Sequence, residues 1–260
     1  MDGASLDWLG PIWNFEHIFD SAHHQPNVDL AEADIFEPRQ ERAPTSLHPV
    51  SASSAILNMP ATPFWGLESR TRVTVEAPNY IDIRFSARLT RPSPKSPWFG
   101  LFWATYVEKP GSELLFPGQL GEGPMHWVRG SSPAHMVRST WPHTEQTGPV
   151  EFVRGYPDRL FTASSLGAET WSLPLAYGVV DDVVFAYFLK QGRDARLTQS
   201  PLTAWDVQRV VHNWEVGVCY TFDQRLLVAT FESREKVLQE YESWSGRTVP
   251  DLGPPVDSSR

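Results

Sequence analysis

Residues 72–107 constrain the fold more than any other part of this chain. Within residues 80–89, polar or charged side chains alternate with apolar side chains at every odd-numbered position. This period of two predicts a strand with one buried face and one solvated face. After a Pro/Ser-rich turn, residues 98–107 are almost all apolar or aromatic, which is typical of a strand buried on both faces.

Further short strands are predicted towards the C-terminus, among them residues 150–153 and 160–164, followed by one helix. Residues 179–189 are rich in β-branched and aromatic residues and are predicted to form one strand, with Asp181 and Asp182 as a turn at its start. Ser233 is a suitable N-cap for an amphipathic helix that extends to Trp244. Because strands and helices do not alternate, the sequence predicts an all-β fold, an antiparallel two-sheet β-sandwich with an irregular N-terminal arm and one C-terminal amphipathic helix.

The spacing of prolines and glycines predicts three segments. Residues 1–62 are expected to form an irregular, Pro-rich arm packed on the main domain, because the prolines leave no room for a long helix. Residues 63–246 are expected to form the β-sandwich domain and its helix, and residues 247–260 a flexible tail. Within the domain, residues 109–149 lack clear periodicity and are predicted to contain a long loop.

Composition excludes several classes of partner. The net charge is −9 without a basic cluster, which argues against a nucleic-acid partner. No apolar run is long enough to span a membrane and no secretory signal is visible, so a cytoplasmic protein is expected. The one cysteine, Cys219, lies in a strand-like run and is predicted to be a buried structural thiol. The sequence is also compatible with a homo-oligomer.

Two parts of the sequence resemble a known group of proteins. The first contains the runs Tyr80-Ile-Asp-Ile-Arg-Phe and Phe99-Gly-Leu-Phe-Trp-Ala-Thr-Tyr, and the second contains Thr198-Gln-Ser-Pro-Leu-Thr-Ala-Trp and Glu215-Val-Gly-Val-Cys-Tyr-Thr-Phe. Together they resemble a group of uncharacterised, mostly bacterial, large β-sandwich proteins of galactose-mutarotase-like or concanavalin-like appearance. The resemblance covers about residues 64–244. It implies a fold, and it supplies no catalytic residues.

Three histidines in the region without periodicity form a candidate metal site. They are His126, His135 and His143, and several glutamates lie nearby in the sequence. Imidazole and carboxylate groups together suit borderline divalent metal ions, so a divalent metal is the one cofactor that the sequence indicates. Their spacing matches no established zinc signature. The alternative is that these are three loop histidines that never meet.

Histidine and carboxylate side chains also form candidate acid–base groups. Imidazole titrates near neutral pH and can both accept and donate a proton. His135 is the first candidate because its apolar and arginine neighbours are suited to a pocket wall. His212 is the second, with Glu215 three residues further along the same rim. The alternative for each histidine is a structural role.

The polar face of the predicted strands is a candidate sugar-binding surface. An aromatic face packs against the C–H groups of a sugar, while charged side chains bind its hydroxyl groups. The candidate substrate-binding residues, expected on neighbouring strands, are Tyr80, Asp82, Arg84, Arg88, Trp103 and Tyr106. Trp103 has an alternative role as a core residue, because its strand is apolar on both sides.

These patterns predict a carbohydrate- or glycoside-directed protein with a small-molecule sugar or glycoside as its ligand. The enzymatic form of this hypothesis is a His/carboxylate isomerase, lyase or hydrolase. The alternatives are a non-catalytic binding or assembly module, and a protein with a pocket for an apolar small molecule. Inference from fold to function is an analogy, so the sequence leaves these alternatives open.

Overall fold

The computed structural model describes residues 9–18, 45–61, 66–92, 98–107, 113–130, 139–145, 165–166, 169–200 and 204–257. In this part of the chain it contains seventeen strands and one helix. In chain order they are β1 (Leu9–Ile18), β2 (Ser46–Ser51), β3 (Ser54–Met59), β4 (Leu67–Glu76), β5 (Tyr80–Leu89), β6 (Trp98–Val107), β7 (Leu114–Leu120), β8 (His126–Gly130), β9 (Ser139–Pro142), β10 (Ser165–Leu166), β11 (Glu169–Trp171), β12 (Leu175–Val180), β13 (Val183–Leu189), β14 (Ala195–Ser200), β15 (Ala204–His212), β16 (Cys219–Thr230), α1 (Arg234–Ser245) and β17 (Gly253–Asp257).

The strands form two sheets, which confirms the predicted β-sandwich. The larger sheet has the order β17-β8-β7-β12-β13-β16-β5-β4-β3-β2, and β11 pairs with β7. The smaller sheet has the order β1-β6-β15-β14-β9-β10. Neighbouring strands are antiparallel except for the pairs β17–β8 and β10–β9, which are parallel. The predicted strands at residues 150–153 and 160–164 lie outside the described residues.

The apolar residues of β5 face the space between the two sheets, as their alternation predicts. Ile83, Phe85 and Leu89 are all buried there. From β13, Phe185 packs with its ring centroid 6.3 Å from that of Trp205 on the smaller sheet. Tryptophans are the largest fully buried side chains, at positions 127, 141, 171 and 205. Burial of these rings excludes water from the interior and supplies much of its apolar contact.

Strands β12 and β13 are joined by a two-residue turn at Asp181 and Asp182. Both residues have positive φ angles, 48° and 62°, as in the tight hairpin turns that match the twist of paired strands. The turn was predicted correctly, but residues 179–189 contain the end of β12 and all of β13, two antiparallel strands instead of one strand. Periodicity alone cannot separate two apolar strands when the turn between them is only two residues long.

Helix α1 forms at the predicted place. The Ser233 hydroxyl accepts a hydrogen bond from the Lys236 backbone N–H at 3.2 Å, and Gly246 ends the helix with a φ of 73°. Both are standard helix caps. Val237 and Tyr241 are buried in a second apolar cluster, which includes Phe188 of β13. The helix therefore packs on the outer face of the larger sheet, opposite the smaller sheet.

Several segments that were predicted to be irregular contain strands. Within residues 1–62 the structure has β1, β2 and β3, and within residues 247–260 it has β17. Residues 109–149 contain β7, β8 and β9 instead of one long loop. In β7, Pro117 and Gly118 weaken the sequence pattern. Gly118 nevertheless suits the sheet, because a Cβ there would lie 2.5 Å from the Val128 side chain.

The environment of Cys219 also differs from the prediction. The thiol is exposed, because Cys219 lies at the start of β16 opposite Arg88, on the face of the larger sheet that is turned away from the core. In the described part of the chain, no helix is long and apolar enough to cross a membrane.

Close packing of Trp205 on Gly178 yields a test of the sandwich core. A Cβ at Gly178 would lie 2.6 Å from Trp205 Cζ2 and 2.7 Å from the Glu113 carbonyl oxygen. We expect Gly178→Ala to lower the free energy of unfolding by about 1–3 kcal/mol, the usual range for overpacking. Gly253→Ala is the matched control, because a Cβ there meets nothing within 4 Å, and its effect should be below about 0.5 kcal/mol. Urea unfolding measures both, and equal values for the two variants would contradict this packing.

Candidate binding groove

The outer face of β5 and β16 carries a ladder of paired polar side chains. Arg84 donates from Nε to Asp223 Oδ1 at 2.7 Å, and this hydrogen bond raises the pKa of Arg84. The hydroxyl groups of Ser86 and Thr221 lie 3.0 Å apart. These pairs follow the strand register, in which Arg84 is opposite Asp223 and Ser86 is opposite Thr221.

Arg225 connects the same ladder to the helix. Its guanidinium donates two hydrogen bonds of 2.6 Å to the Asp82 carboxylate and one of 2.9 Å to Glu76. It also lies 4.5 Å from the ring centroid of Tyr80 and 5.8 Å from that of Trp244 on α1. The hydrogen bonds to Asp82 raise the pKa of Arg225. These contacts hold the Arg225 guanidinium and the Asp82 carboxylate in fixed positions.

Tyr80 lies between the helix and the sheet. Its hydroxyl group donates a hydrogen bond of 2.8 Å to Glu240 Oε2, and this bond raises the pKa of Tyr80. Partial burial by itself would raise the pKa of Glu240, but the hydrogen bonds from Tyr80 and Lys236 lower it below its ordinary value. Tyr80 thus positions α1, and its hydroxyl group is already engaged.

Beyond the helix, the outer face opens into a groove of about 540 Å³, which we call the first groove. Its charged lining consists of four cationic side chains, from Arg70, Arg72, Arg84 and Lys190, and two acidic ones, from Asp82 and Asp223. Its other lining residues are Thr74, Ile83, Ser86, Gln224 and Trp244. The excess of positive charge is local, because the whole chain carries −9.

Arg70 and Arg72 distinguish the first groove from an ordinary solvated sheet. Both are exposed on β4, and among the described residues neither forms an ion pair or a side-chain hydrogen bond. Arg72 lies directly opposite Arg84 in the strand register. Like charges that face each other across strands are destabilising, so stability of the sheet does not explain this arrangement.

Lys190 lines the first groove from the start of the loop that connects β13 of the larger sheet to β14 of the smaller sheet. Its backbone N–H donates to the Asp223 carbonyl at 3.0 Å. The loop that follows is fixed from inside by Arg209, which donates to the carbonyl groups of Gln191 and of Arg193, the latter at 2.9 Å. Burial lowers the pKa of Arg209 to about 10, and the backbone carbonyls supply hydrogen bonds to its guanidinium.

A second groove of about 660 Å³ adjoins the first along the same face. The two grooves share Arg70 and Ser86. The second groove contains one further ion pair, in which Arg88 Nε donates to Glu68 Oε1 at 2.7 Å. The remaining residues that line it are Ser46, Asn58, Met59, Pro60, Ser69, Ala87, Gly217 and Cys219. Its lining is therefore mainly hydroxyl, amide and apolar.

The predicted sugar-binding residues fall into separate places. Asp82 and Arg84 line the first groove and Arg88 lines the second. Trp103 and Tyr106 are on β6 in the smaller sheet, opposite Val207 and Ala204 of β15. The expectation that all six lie on neighbouring strands is wrong, because β5 and β6 belong to different sheets although they are consecutive in the chain.

The two candidate metal ligands that the structure describes, His126 and His143, lie at the ends of strands in different sheets. His126 lies at the start of β8, with Nδ1 3.1 Å from the Pro124 carbonyl oxygen. His143 follows β9 in the other sheet, and its Nδ1 accepts a hydrogen bond of 3.1 Å from the Glu145 backbone N–H. His135 lies outside the described residues. Among the described residues, no group of three or more His, Cys, Asp or Glu side chains is arranged to hold a metal ion.

His212 has a different carboxylate neighbour from the one predicted. Its Nε2 lies 3.8 Å from Asp194 Oδ1, and both side chains are largely buried. Glu215 is exposed, and its backbone N–H donates to the Tyr220 hydroxyl at 2.8 Å. Asn213, with a φ of 51°, turns the chain between His212 and Glu215. The pair stays a prediction for catalysis, but the described contacts connect His212 to Asp194.

Sequence patterns did not point to Arg70, Arg72, Lys190 or Trp244. The first two alternate with inward-facing residues of β4, a period-two pattern similar to the one that identified Asp82 and Arg84. That pattern was available in the sequence. Lys190 and Trp244 reach the groove only because β13 and α1 pack beside β16 and β5, a contact between residues far apart in the chain.

Solved structures give similarities at the level of the fold. They include a candidate aldose 1-epimerase from Escherichia coli K12 (12% identity, TM-score 0.44, covering 80% of this chain and 75% of that chain). They also include the Slr1438 protein from Synechocystis sp. PCC 6803 (10%, 0.42, covering 72% and 66%) and the α-galactosidase from Lactobacillus brevis (10%, 0.39, covering 74% and 25%). No protein-family model and no curated protein matches this sequence. At these identities and TM-scores, no property of the similar proteins transfers to this chain.

Burial of His143 leads to a prediction about pH. The side chain is 2% exposed, and burial, followed by the charge of Arg209, lowers its pKa from 6.5 to about 4. An unfolded chain takes up a proton near pH 6.5, whereas the folded protein takes it up only near pH 4. Because the pKa is depressed in the folded state, stability present above pH 6.5 is lost as the pH falls, and the loss should reach about 3 kcal/mol at pH 4.

Denaturant unfolding between pH 7 and pH 4 tests this prediction. His143→Gln should remove most of the loss over this range, because the residue that changes protonation is gone. His126→Gln is the matched control and should keep the pH dependence of the wild type. Parallel stability curves for wild type and His143→Gln would contradict the assignment to His143.

Proposed function

We propose that this protein binds an acidic carbohydrate, a sugar that carries a carboxylate, sulfate or phosphate group, in the first groove. The observation that carries the proposal is the pair of exposed arginines, Arg70 and Arg72, which have no ion-pair partner among the described residues. An anion between Arg72 and Arg84 would remove the repulsion between two guanidinium groups that face each other across the strands. Arginine also suits this purpose because its planar fork binds two oxygens of one anion.

The other lining residues suit the hydroxyl groups of a sugar. Asp82 and Asp223 are already bound to Arg225 and Arg84, but a carboxylate has about four lone-pair positions and keeps some of them free for hydroxyl donors. Thr74 and Ser86 supply further hydroxyl donors and acceptors. Because Arg225 and Arg84 hold both carboxylates in place, a ligand meets groups that are already oriented, which reduces the entropy lost on binding.

The proposal is for binding without catalysis, one of the alternatives that the sequence left open. No histidine is among the described residues that line the first groove, and His212 lies on β15 of the smaller sheet. Catalysis by His135 stays a prediction, since that residue is outside the described residues. The proposal is tested by comparing the affinity of the protein for a sugar that bears a carboxylate or phosphate group with its affinity for a neutral sugar.

Replacement of Arg70 and Arg72 tests the proposed function. We expect Arg70→Gln/Arg72→Gln to weaken binding of an acidic sugar such as glucuronic acid, galacturonic acid or glucose 6-phosphate by at least about tenfold, because hydrogen bonds to charged groups contribute about 1.5–3 kcal/mol each. Isothermal titration calorimetry measures the affinity. The melting temperature should change little, because both side chains are exposed and neither has an ion-pair partner in the described part of the chain.

Two controls make the result specific to the groove. Arg129→Gln removes an exposed arginine from β8, which is five strands away from β5 in the larger sheet, and it should leave binding unchanged. Wild-type binding should also weaken as sodium chloride rises from low to high concentration, since salt screens charges at a surface. Equal binding of neutral and acidic sugars, or no binding of any acidic sugar, would refute the proposal.

A further inference from the structure

The two grooves adjoin each other on the outer face of the larger sheet, and we call the two together the channel. The residues that they share, Arg70 and Ser86, lie opposite each other in the register of β4 and β5. From this point the first groove extends towards Thr74 and Asp82, and the second towards Glu68 and Arg88. The channel therefore follows the direction of the strands.

The channel is much longer than one sugar ring. Thr74 lies six positions after Glu68 on β4, and a strand advances about 3.3 Å per position, so the channel is about 20 Å long. A pyranose ring is about as wide as the spacing between neighbouring strands, about 4.8 Å. The channel can accommodate about four such rings. The first groove by itself, at about 540 Å³, provides only part of this space.

Charge is distributed unevenly along the channel. Among the described residues, Arg70 and Arg72 of the first groove have no ion-pair partner, and Lys190 adds a further positive charge. Glu68, the one acidic side chain among the described residues that line the second groove, is neutralised by Arg88. Apart from Arg70, which lies at the junction with the first groove, the rest of the second groove is formed by hydroxyl, amide and apolar groups, among them Asn58. An anionic group is therefore favoured at one end of the channel, and uncharged hydroxyl-rich units at the other.

We infer that the ligand is an oligosaccharide whose acidic sugar occupies the first groove and whose neutral sugars extend along the second groove as far as Cys219. The inference rests on the proposed function and adds the length and the direction of the ligand. Ser86 lies where the two parts of such a ligand would join. Asn58, whose neighbours across the strands are Arg70 and Ser46, lies beside the neutral part.

The reactivity of the Cys219 thiol can report whether a ligand occupies the second groove. It is the one cysteine in the chain, it is exposed, and it lines the second groove but not the first. A ligand that fills the second groove would shield its thiol from a reagent, whereas a ligand confined to the first groove would leave it accessible. Alkylation therefore reports occupancy of the second groove without a mutation.

The experiment measures the rate at which iodoacetamide alkylates Cys219 in the full chain. The probes are a uronic acid alone, the same acid extended by one, two or three neutral sugar units, and a neutral oligosaccharide of equal length. With saturating uronic acid the rate should stay within about twofold of that of the free protein. With the acid extended by two or three units it should fall by tenfold or more, and the neutral oligosaccharide should have little effect.

A substitution in the second groove provides an independent readout. Asn58→Trp should weaken binding of the extended acid by about tenfold and leave binding of the uronic acid alone unchanged. If Asn58→Trp does not fold, Asn58→Ala provides the same comparison with a smaller expected loss.

The outcomes separate the inference from the proposed function. If the uronic acid binds through Arg70 and Arg72, but extension neither tightens binding nor protects Cys219, the inference fails and the proposed function stands. If the neutral oligosaccharide protects Cys219 as well as the extended acid does, the acidic unit is not required and the inference fails. If no acidic sugar binds at all, both fail.

Discussion

Helix α1 covers only part of the outer face of the larger sheet, and the location of the grooves depends on this partial cover. Strand β13 is apolar on both faces, with Phe185 in the core between the sheets and Phe188 beneath the helix. On β4 and β5 only one face is apolar. The helix accordingly packs over β13, and the charged face of β4 and β5 stays open. Trp244 lies at this boundary, because it contacts the apolar cluster and also lines the first groove.

The chemistry of the open face follows from strand register. Antiparallel pairing places Arg84 opposite Asp223 on one side and opposite Arg72 on the other. Asp223 neutralises the charge of Arg84, whereas Arg72 carries the same charge as Arg84. Each ion pair at this surface contributes little to stability by itself, but the pairs keep the carboxylates and guanidinium groups in fixed positions. A surface that is ordered but not neutralised is suited to binding an anion with hydroxyl groups.

Much of the fold could be predicted because its evidence is local. The alternation of β5, the Ser233 cap of α1 and the Asp181-Asp182 turn are each contained within a few consecutive residues. Predictions differed from the structure where a strand contains residues that usually break strands, as at Gly118, which depends on close contact with Val128 for its place in β7. The exposure of Cys219 differed for a related reason, since a strand pattern does not show which face is covered.

The sequence by itself determined the all-β class, the helix and the two faces of β5, since hydrophobic periodicity and caps depend on neighbouring residues alone. Four of the six charged residues that line the first groove, Asp82, Arg84, Arg70 and Arg72, lie in such alternating patterns of β4 and β5. Only the tertiary structure decided that β6, which contains Trp103 and Tyr106, belongs to the smaller sheet, and that β16 and α1 lie beside β5. The physical reason is that strand pairing and helix packing join residues more than a hundred positions apart, and no local pattern records which distant strand becomes the neighbour.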